Sequence, residues 1–327
     1  MAHLLVTGGA GYVGSHTLKA LRQAGHSTVV FDDMRAGHEQ LTLGAPLVRG
    51  DVCDREAVAR LLERRGPFDG VLHFAALLSV PESVAHPLRY YHNNVTGSAT
   101  LLREALDRGV GSFVLSSTAA VYGNPQRQPT PEDTALAPIN PYGASKLMVE
   151  RMLADLEQSD GLHWAALRYF NAAGADPEGE LGECHDPESH LIPVALEASA
   201  GLREELQLFG SDYPTPDGTC VRDYIHVSDL ATAHVLAIEA LLEGRQIGAR
   251  NLGTGRGHSN RQVLAAVERV VGRPVPCKEA ARRPGDPAEL VADASRFQTE
   301  LGWKPAHSDL DEIVATAWAW LRRWKQL

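Results

Sequence analysis

The sequence predicts an α/β protein built on a doubly wound parallel sheet of the Rossmann type, with a smaller C-terminal α/β domain. Two observations support this fold class. Short apolar runs alternate with amphipathic segments through the first half of the chain, and a glycine-rich turn, Gly8 to Gly14, joins the first run to the first of these segments. The runs are continuous rather than alternating, which is typical of strands that helices cover on both faces.

The individual elements follow from this alternation. The predicted strands of the first sheet are His3 to Thr7, Ser27 to Phe31, Leu47 to Arg49, Gly70 to Phe74, Ser112 to Ser116 and Trp164 to Tyr169. The helical periodicity between them predicts helices near Tyr12 to Ala24, Arg55 to Arg64, Pro87 to Asp107 and Tyr142 to Gln158. Strands separated by helices form βαβ units, so the sheet is expected to be parallel.

The composition changes after Asn171. Ala173 to Ser189 is rich in Gly, Pro, Asp and Glu and is interpreted as a loop at a domain boundary. We therefore expect a dinucleotide-binding domain over residues 1–171, with a return contribution from about 221–252, and a mainly substrate-binding domain over 172–327. The elements predicted there are helices Ala195 to Gly201, Tyr224 to about Leu242, Asn260 to Val271 and Asp309 to Lys325, and strands Leu206 to Phe209 and Ala249 to Leu252, the last returning to the first sheet.

Composition excludes several classes of function. The 327 residues carry a formal net charge of −10, which argues against a nucleic-acid surface because such a surface needs a basic face. No apolar run approaches the ~18 residues that span a bilayer, and no secretory signal is expected. The four cysteines form no CxxC pair, which is typical of free thiols in a reducing compartment. A soluble, cytoplasmic protein without a metal site is expected.

The glycine-rich turn predicts a dinucleotide site. Gly8, Gly11 and Gly14 follow a strand and open a helix, where missing Cβ atoms let the backbone approach a pyrophosphate and the helix N-terminus supplies free N–H groups. Asp32 ends the second strand, at the position from which a carboxylate reaches the ribose hydroxyls. Asp33 adds to the repulsion of a 2′-phosphate, and the two acids outweigh Arg35, so NAD is favoured over NADP.

A tyrosine and a lysine form the predicted chemical pair. Tyr142 and Lys146 lie four residues apart on a predicted helix, so both project from one face. An adjacent ammonium stabilises a phenolate and lowers the pKa of the phenol toward the working range of a base. Ser116 and Thr118 follow the fifth strand, where hydroxyls face the ligand crevice and can relay a proton to Tyr142.

In this order the motifs resemble the nucleotide-sugar epimerase branch of the extended short-chain dehydrogenase/reductase family. The segments that carry the resemblance are Val6 to His16, Gly50 to Val52, His73 to Ala76, Tyr90 to Asn94, Pro141 to Lys146, Arg168 to Asn171, Asp217 to Thr219, Val221 to His226 and Arg282 to Asp286. They cover nearly the whole chain, and their combination is far more specific than any single motif.

The resemblance implies a role for further residues. Those expected around NAD are Gly8, Gly11, Tyr12, Val13, Gly14, Asp32, Asp33, Asp51, Val52, Phe74, Ala75, Asn93, Ser116, Tyr142, Lys146 and Tyr169. Those expected around the nucleotide sugar are Thr118, Tyr142, Asn171, His190, Leu191, Phe209 at the uracil, Arg222 and Arg283 at the diphosphate, Asp286 and Leu290. The residues alone leave an alternative open for the arginines, namely surface ion pairs of Arg222 with Asp223 and of Arg283 with Asp286.

The resemblance also implies an activity, the NAD-dependent interconversion of UDP-galactose and UDP-glucose. Tyr142, with Thr118 and Lys146, would remove the proton of the 4-hydroxyl during transient oxidation at C4, and the 4-keto sugar would turn over before it is reduced again. A homodimer is implied, in which helices 87–107 and 142–158 pair. The same residues, Leu101, Leu102, Met148, Val149 and Met152, serve equally well against the sheet.

Some positions depart from the family pattern. Thr118 replaces a frequent serine, Leu78 a lysine and His190 an asparagine; Leu290 replaces a tyrosine that closes the pocket over the C2 substituent, which suggests tolerance for N-acetylhexosamines. Related 4,6-dehydratases carry an acid pair after the threonine, where this chain has Ala119 and Ala120. Epimerisation of UDP-pentoses or UDP-glucuronate stays open, as does a non-enzymatic NAD-binding sensor.

Overall fold

The computed structural model describes residues 1–283 and 286–327. Its strands are β1 (His3–Thr7), β2 (Ser27–Asp32), β3 (Leu47–Arg49), β4 (Gly70–His73), β5 (Ser112–Thr118), β6 (His163–Tyr169), β7 (Asn171–Ala173), β8 (Leu206–Phe209), β9 (Val221–His226), β10 (Gly248–Leu252), β11 (Gly257–Ser259), β12 (Cys277–Ala280) and β13 (Glu289–Leu290). Its α-helices are α1 (Tyr12–Gln23), α2 (Arg55–Arg65), α3 (Val80–Ala85), α4 (Pro87–Tyr90), α5 (Gly97–Leu106), α6 (Pro141–Asp160), α7 (Leu191–Ser199), α8 (Val227–Leu242), α9 (Asn260–Val271), α10 (Ser295–Leu301) and α11 (Leu310–Lys325).

The main sheet has seven parallel strands in the order β10-β6-β5-β4-β1-β2-β3. Side chains alternate between two buried layers: Leu4 and Val6 pack with helices α1 and α8 on one face, and Leu5 packs with α2, α5 and α6 on the other. Because helices close both layers, most strands of the sheet are largely apolar on both faces. This confirms the predicted doubly wound parallel sheet and the return of the strand at residues 249–252.

A smaller unit lies beyond the sheet. Strands β11, β9 and β13 form a second sheet, to which β7 adds by pairing with β9, and β8 pairs with β12. Helices α7, α9 and α11 pack around one apolar cluster beside it. Of the returning segment 221–252, α8 and β10 join the first domain, whereas β9 belongs to the second sheet.

Two predicted helix starts are wrong. Residues 224–226 belong to strand β9, and helix α8 begins at Val227. Tyr224 and Ile225 pair with Asn171 and Ala172 of β7, so partners distant in sequence determine the conformation here. Helix α7 likewise starts at Leu191, four residues before its predicted beginning. The predicted helix at 87–107 is continuous through a π-helical segment, Tyr91–Thr96.

Candidate active site

The glycine-rich turn forms a close-packed cradle at the carboxyl edge of the sheet. Gly8 has a φ of 71°, and a Cβ there would lie 2.5 Å from the backbone nitrogen of Ala75. A Cβ on Gly14 would lie 2.2 Å from the carbonyl oxygen of Gly8. Gly11 caps α1 without a side-chain hydrogen bond, so the first N–H groups of the helix are available to an anion. This geometry fits the pyrophosphate of a dinucleotide.

The acidic end of β2 fits the ribose of NAD. Asp32 is buried, and its carboxylate accepts hydrogen bonds from the backbone of Ala10 (3.1 Å) and Met34 (2.9 Å). Burial raises the pKa of Asp32, while these N–H groups favour its ionised form. Arg35 pairs with Asp33 and donates to Asn93 Oδ1 (2.9 Å). The cation that most favoured NADP is therefore already paired.

The other residues expected around NAD surround this cradle. Phe74 and Ala75 follow β4 and lie against Gly8. Asp51 and Val52 follow β3, where Asp51 Oδ2 lies 3.5 Å from Arg35 and Val52 is buried. The phenol of Tyr12 donates to the Gly174 carbonyl (2.6 Å), so any contact with a cofactor falls to the backbone of residue 12 rather than to its side chain.

The start of helix α6 brings the tyrosine to the end of β5. Asn140 caps the helix by accepting from the backbone of Gly143 (2.9 Å), with Pro141 in the first turn. A Cβ on Gly143 would lie 2.5 Å from the Ala120 carbonyl oxygen. Only glycine therefore allows this close approach, which sets Tyr142 beside Thr118. The sequence analysis assigned no role to Gly143, although it lies between the two predicted catalytic positions of the helix.

The phenol of Tyr142 is held in a setting that keeps it protonated. Burial raises its pKa well above 10 and the neighbouring Tyr169 adds to this, whereas hydrogen bonding with the Thr118 side chain lowers it. Tyr169 in turn shares a hydrogen bond of 2.7 Å with Ser116 Oγ. The hydroxyl groups expected to handle a proton, those of Thr118 and Tyr142, are thus adjacent.

Lys146 lies one helical turn further on, beneath this pair. Its Nζ donates to the backbone carbonyl of Ser116 (2.9 Å). Burial lowers the pKa of Lys146 to about 8, and Glu150 opposes this effect. The ammonium thus sits at the end of β5 rather than on the phenol itself, which refines the expected Tyr142–Lys146 contact.

A buried ion pair supports the site from behind. Glu150 accepts from Arg168 Nη2 at 2.6 Å, and both side chains are about 5% exposed. Glu150 also accepts from the hydroxyl of Ser117, and Arg168 donates to the hydroxyl of Tyr122 (2.9 Å). These contacts join β5, β6 and α6. The sequence analysis missed Glu150; its signal is a position four residues after Lys146 on the same helical face.

Three of the expected substrate residues line one cavity. Asn171 at the start of β7, His190 and Leu191 at the start of α7 share it with Tyr224 and Trp320. Asn171, in the wall of this cavity, follows Tyr169, the last residue of β6, by two positions. Asn171, His190 and Leu191 therefore meet within reach of the end of the main sheet, although they are up to twenty residues apart in sequence.

The remaining substrate residues lie on the second sheet and its loops. The guanidinium carbon of Arg283 lies 3.9 Å from the centre of the Phe209 ring, which brings together the residues expected at the diphosphate and at the uracil. Arg222 lies 3.8 Å from Asp286. The alternative ion pair of Arg222 with Asp223 is not formed, because Asp223 is buried and accepts hydrogen bonds from the backbone of Thr254 and Gly255. Arg222 lies instead near Asp286, the acid that the other alternative paired with Arg283.

Leu290 connects this unit to the catalytic loop. It pairs in register with Arg222 and packs against an apolar cluster formed by Ala119, Val121 and Tyr122, which follow Thr118, and by Leu147 of α6. The side chain expected to border the sugar therefore lies beside the end of β5.

A dinucleotide cradle next to a tyrosine and a threonine hydroxyl defines a nicotinamide-dependent enzyme that acts on an alcohol. The family model of the NAD dependent epimerase/dehydratase family matches residues 4–253, and the chain belongs to that family.

Named relatives are similar over nearly their full length. The UDP-glucose 4-epimerase of Azospirillum brasilense is 52% identical over 99% of this chain and 93% of that protein. A crystal structure of UDP-glucose 4-epimerase from Brucella ovis in complex with NAD has a TM-score of 0.94 at 48% identity, covering 97% of this chain and 98% of that one. The enzyme from Bifidobacterium longum in complex with NAD+ and UDP has a TM-score of 0.93 at 38% identity, covering 98% of each chain.

Within residues 1–283 and 286–327, no helix combines the length and apolarity that a membrane span requires.

Proposed function

We propose that this protein interconverts UDP-galactose and UDP-glucose by transient oxidation at C4, using NAD. The observation that carries the proposal is the position of the Tyr142 phenol beside the Thr118 hydroxyl at the carboxyl end of β5. That edge of the sheet also holds the glycine cradle and Asp32, and ligands of doubly wound sheets bind at this edge. The similarity of nearly the whole chain to proteins named UDP-glucose 4-epimerase, one of them solved in complex with NAD, supports it further.

The residues divide the chemistry between them. Bound NAD supplies the acceptor and then the donor of the C4 hydride. Tyr142 acts in its phenolate form, which the positive charges of Lys146 and of a bound nicotinamide ring would favour against the effect of burial. The phenolate takes the proton of the 4-hydroxyl directly or through Thr118, and the phenol returns the proton when C4 is reduced on its other face. Lys146 is assigned a positioning and electrostatic role, since its ammonium is held by the Ser116 carbonyl one helical turn from Tyr142. Such general acid–base catalysis contributes on the order of 10² to 10⁴ in rate.

Rotation of a keto sugar requires firm binding elsewhere in the substrate. Arg222 and Arg283 supply planar donors that match phosphate oxygens, and the Phe209 ring supplies a face for the base. Asn171 and Leu191 border the adjoining cavity. Binding energy is then concentrated on the UDP group, away from the reacting carbon.

Product analysis tests this proposal. The purified protein is incubated with UDP-galactose, UDP-xylose and UDP-glucuronate in separate reactions, and the products are separated by ion-pair chromatography. UDP-glucose formation from UDP-galactose is expected, together with NAD released on denaturation. Turnover of only the pentose or the uronate would change the assigned substrate, and NAD without any turnover would favour a non-enzymatic sensor.

Leu290 favours a second substrate class, the UDP-N-acetylhexosamines. It packs beside the loop that follows Thr118, and a leucine occupies less space than a tyrosine. We expect turnover of UDP-N-acetylgalactosamine, and Leu290→Tyr is expected to reduce it at least tenfold while UDP-galactose turnover stays within about twofold. Equal loss for both sugars, or no acetylated turnover by the unmodified protein, would contradict this.

A homodimer in a reducing cytoplasm remains part of the proposal. Leu101, Leu102 and Val149 are buried against the sheet and are thus removed from a dimer surface. Val84, Leu88 and Met148 are exposed on the neighbouring helices α3, α4 and α6. Sedimentation equilibrium is expected to show a dimer that Leu88→Glu dissociates; a monomeric parent protein would refute this. The four free cysteines suit the reducing location.

A further inference from the structure

A cluster of two histidines and two glutamates lies outside the proposed chemistry. Glu183, His185, Glu188 and His190 converge so that one potential ligand atom of each lies within 4.8 Å of all the others. They belong to the segment between β7 and α7, which the sequence analysis interpreted as a loop at a domain boundary. The prediction that the protein has no metal site rested on its cysteines and did not consider these residues.

The separations within this cluster are those of a metal coordination shell. Glu183 Oε1 lies 3.0 Å from His185 Nδ1 and 2.8 Å from His190 Nδ1. Glu188 completes the ring at 2.9 Å from His190 Nδ1 and 3.8 Å from His185 Nδ1. Ligand atoms of a tetrahedral zinc site are about 3.3 Å apart, given bonds of about 2.0 Å.

The Nδ1 atom of His190 faces more carboxylate oxygens than one N–H group can bond to. The Nδ1 atom of His190 lies within 3 Å of carboxylate oxygens of both Glu183 and Glu188, yet one N–H group points at one acceptor at a time. Neutral imidazoles donate lone pairs to a metal. With neutral histidines the two carboxylates carry a charge of −2, which a divalent cation balances.

The setting of the cluster makes that balance important. The carboxylates of Glu183 and Glu188 are less than a tenth exposed. Burial raises the pKa of Tyr12, a residue of the glycine cradle, and the charges of these two carboxylates raise it further. The ring of His185 lies 6.4 Å from the ring of Tyr12. Uncompensated negative charge here would oppose a pyrophosphate bound at the cradle.

A neighbouring acidic cluster provides an internal comparison. Asp176, Glu178 and Glu180 also converge, but their charge is met by Lys19, whose Nζ lies 2.8 Å from oxygens of Asp176 and Glu180. In the cluster of residues 183–190, two histidines take the place that Lys19 has among the carboxylates of the other cluster. Their imidazole nitrogens can act as metal ligands.

We propose that Glu183, His185, Glu188 and His190 bind a zinc ion that fixes the segment leading from β7 into helix α7. Two nitrogen and two oxygen ligands in a tetrahedral arrangement suit Zn²⁺. The ion is structural, because all four positions are filled by the protein. It orders His190 and Leu191 at the wall of the cavity, and its presence does not depend on the proposed reaction.

The competing arrangement is a metal-free ion-pair cluster. Burial lowers the pKa of His185, but hydrogen bonds to Glu183 and Glu188 outweigh this and raise it to about 9. Burial also lowers the pKa of His190, but Glu183 and Glu188 outweigh this and raise it, so two imidazolium groups would balance the two carboxylates. Metal content distinguishes the two arrangements, since the ion-pair cluster binds no zinc and the proposed site does.

The experiment measures metal directly. Untagged protein is purified without chelators, loaded with Zn²⁺, passed over chelating resin and analysed by mass spectrometry for about one zinc ion per chain. Loading with Co²⁺ instead is expected to give the strong visible absorption of a tetrahedral site. Wild-type protein that retains no zinc, or a weak octahedral cobalt spectrum, would overturn the proposal.

Matched variants locate the ion. His185→Gln and Glu188→Gln are expected to weaken zinc binding by on the order of 100-fold or more, since losing an outer-shell partner alone costs 10- to 100-fold. Glu180→Gln, in the acidic cluster held by Lys19, is the control and is expected to bind zinc normally. Equal binding by all three variants would place the ion elsewhere and refute the site. Folding of each variant is checked by circular dichroism, and the wild-type measurement stands without them.

Discussion

Lys146 is predicted to lower the free energy of unfolding of the protein, although it belongs to the proposed active site. Its ammonium is 4% exposed and donates to the Ser116 carbonyl, while Glu150, one turn away, is paired with Arg168. Burial lowers the pKa of Lys146 from its usual 10.5 to about 8. At about 1.4 kcal/mol for each pKa unit, this corresponds to roughly 3 kcal/mol of destabilisation at neutral pH.

Replacing Lys146 by methionine tests that magnitude. The loss of the hydrogen bond to Ser116 offsets about 1 to 2 kcal/mol, so Lys146→Met is expected to raise the free energy of unfolding of the cofactor-free protein by about 1 to 2 kcal/mol at pH 7. The unfolded lysine keeps its proton up to about pH 10.5, whereas the folded one loses it near pH 8. The wild-type protein therefore gains stability as the pH rises between these values, and its difference from the variant shrinks.

Urea unfolding followed by tryptophan fluorescence at pH 7 and pH 9.5 measures both effects. Lys19→Met is the control of opposite sign, because Lys19 joins three carboxylates and its removal is expected to destabilise the protein. A Lys146→Met variant that is less stable than wild type at pH 7, or a difference that does not change with pH, would refute the reasoning. Turnover of the variant is expected to fall despite its greater stability.

Three further substitutions probe the cradle, the proton relay and the supporting ion pair. Gly14→Ala forces a Cβ against the Gly8 carbonyl and is expected to reduce NAD content at least tenfold by chromatography, whereas Gly111→Ala, which meets open space, leaves it unchanged. Thr118→Val is expected to lower kcat about 10- to 100-fold with NAD retained, and Thr118→Ser to preserve it; equal losses would exclude the hydroxyl. Glu150→Gln leaves a buried guanidinium unpaired and is expected to cost about 3 to 5 kcal/mol in urea unfolding; a loss below about 1 kcal/mol would contradict this.

Most of the first domain could be predicted from the sequence because its determinants are local. The strands from β1 to β6 are largely apolar runs, and Gly8 to Gly14 lies where a strand turns into a helix. The second domain was harder. Its strands β7 and β13 are short, and Tyr224 and Ile225 of β9 become strand because β7 lies beside them. No local pattern reveals such a partner.

The candidate site residues also fall into those that local sequence predicts and those that depend on distant contacts. Tyr142 and Lys146 share one helix, so their spacing predicts their common face. The approach of that helix to β5 depends on Gly143 and Ala120, which are distant in sequence. Glu150 was missed because its partner Arg168 lies on β6, and a lone acid on an amphipathic helix resembles an exposed one.

Single-turnover and steady-state measurement of Tyr142→Phe tests the central claim, that this phenol exchanges the proton of the sugar's 4-hydroxyl. With UDP-galactose and NAD-loaded protein, kcat is expected to fall by about 10² to 10⁴, while NAD content stays unchanged. Tyr213→Phe is the matched control, because its hydroxyl is buried without a hydrogen-bond partner among the described residues, and it is expected to keep kcat within about twofold. A Tyr142→Phe variant that turns over at the wild-type rate would contradict the account.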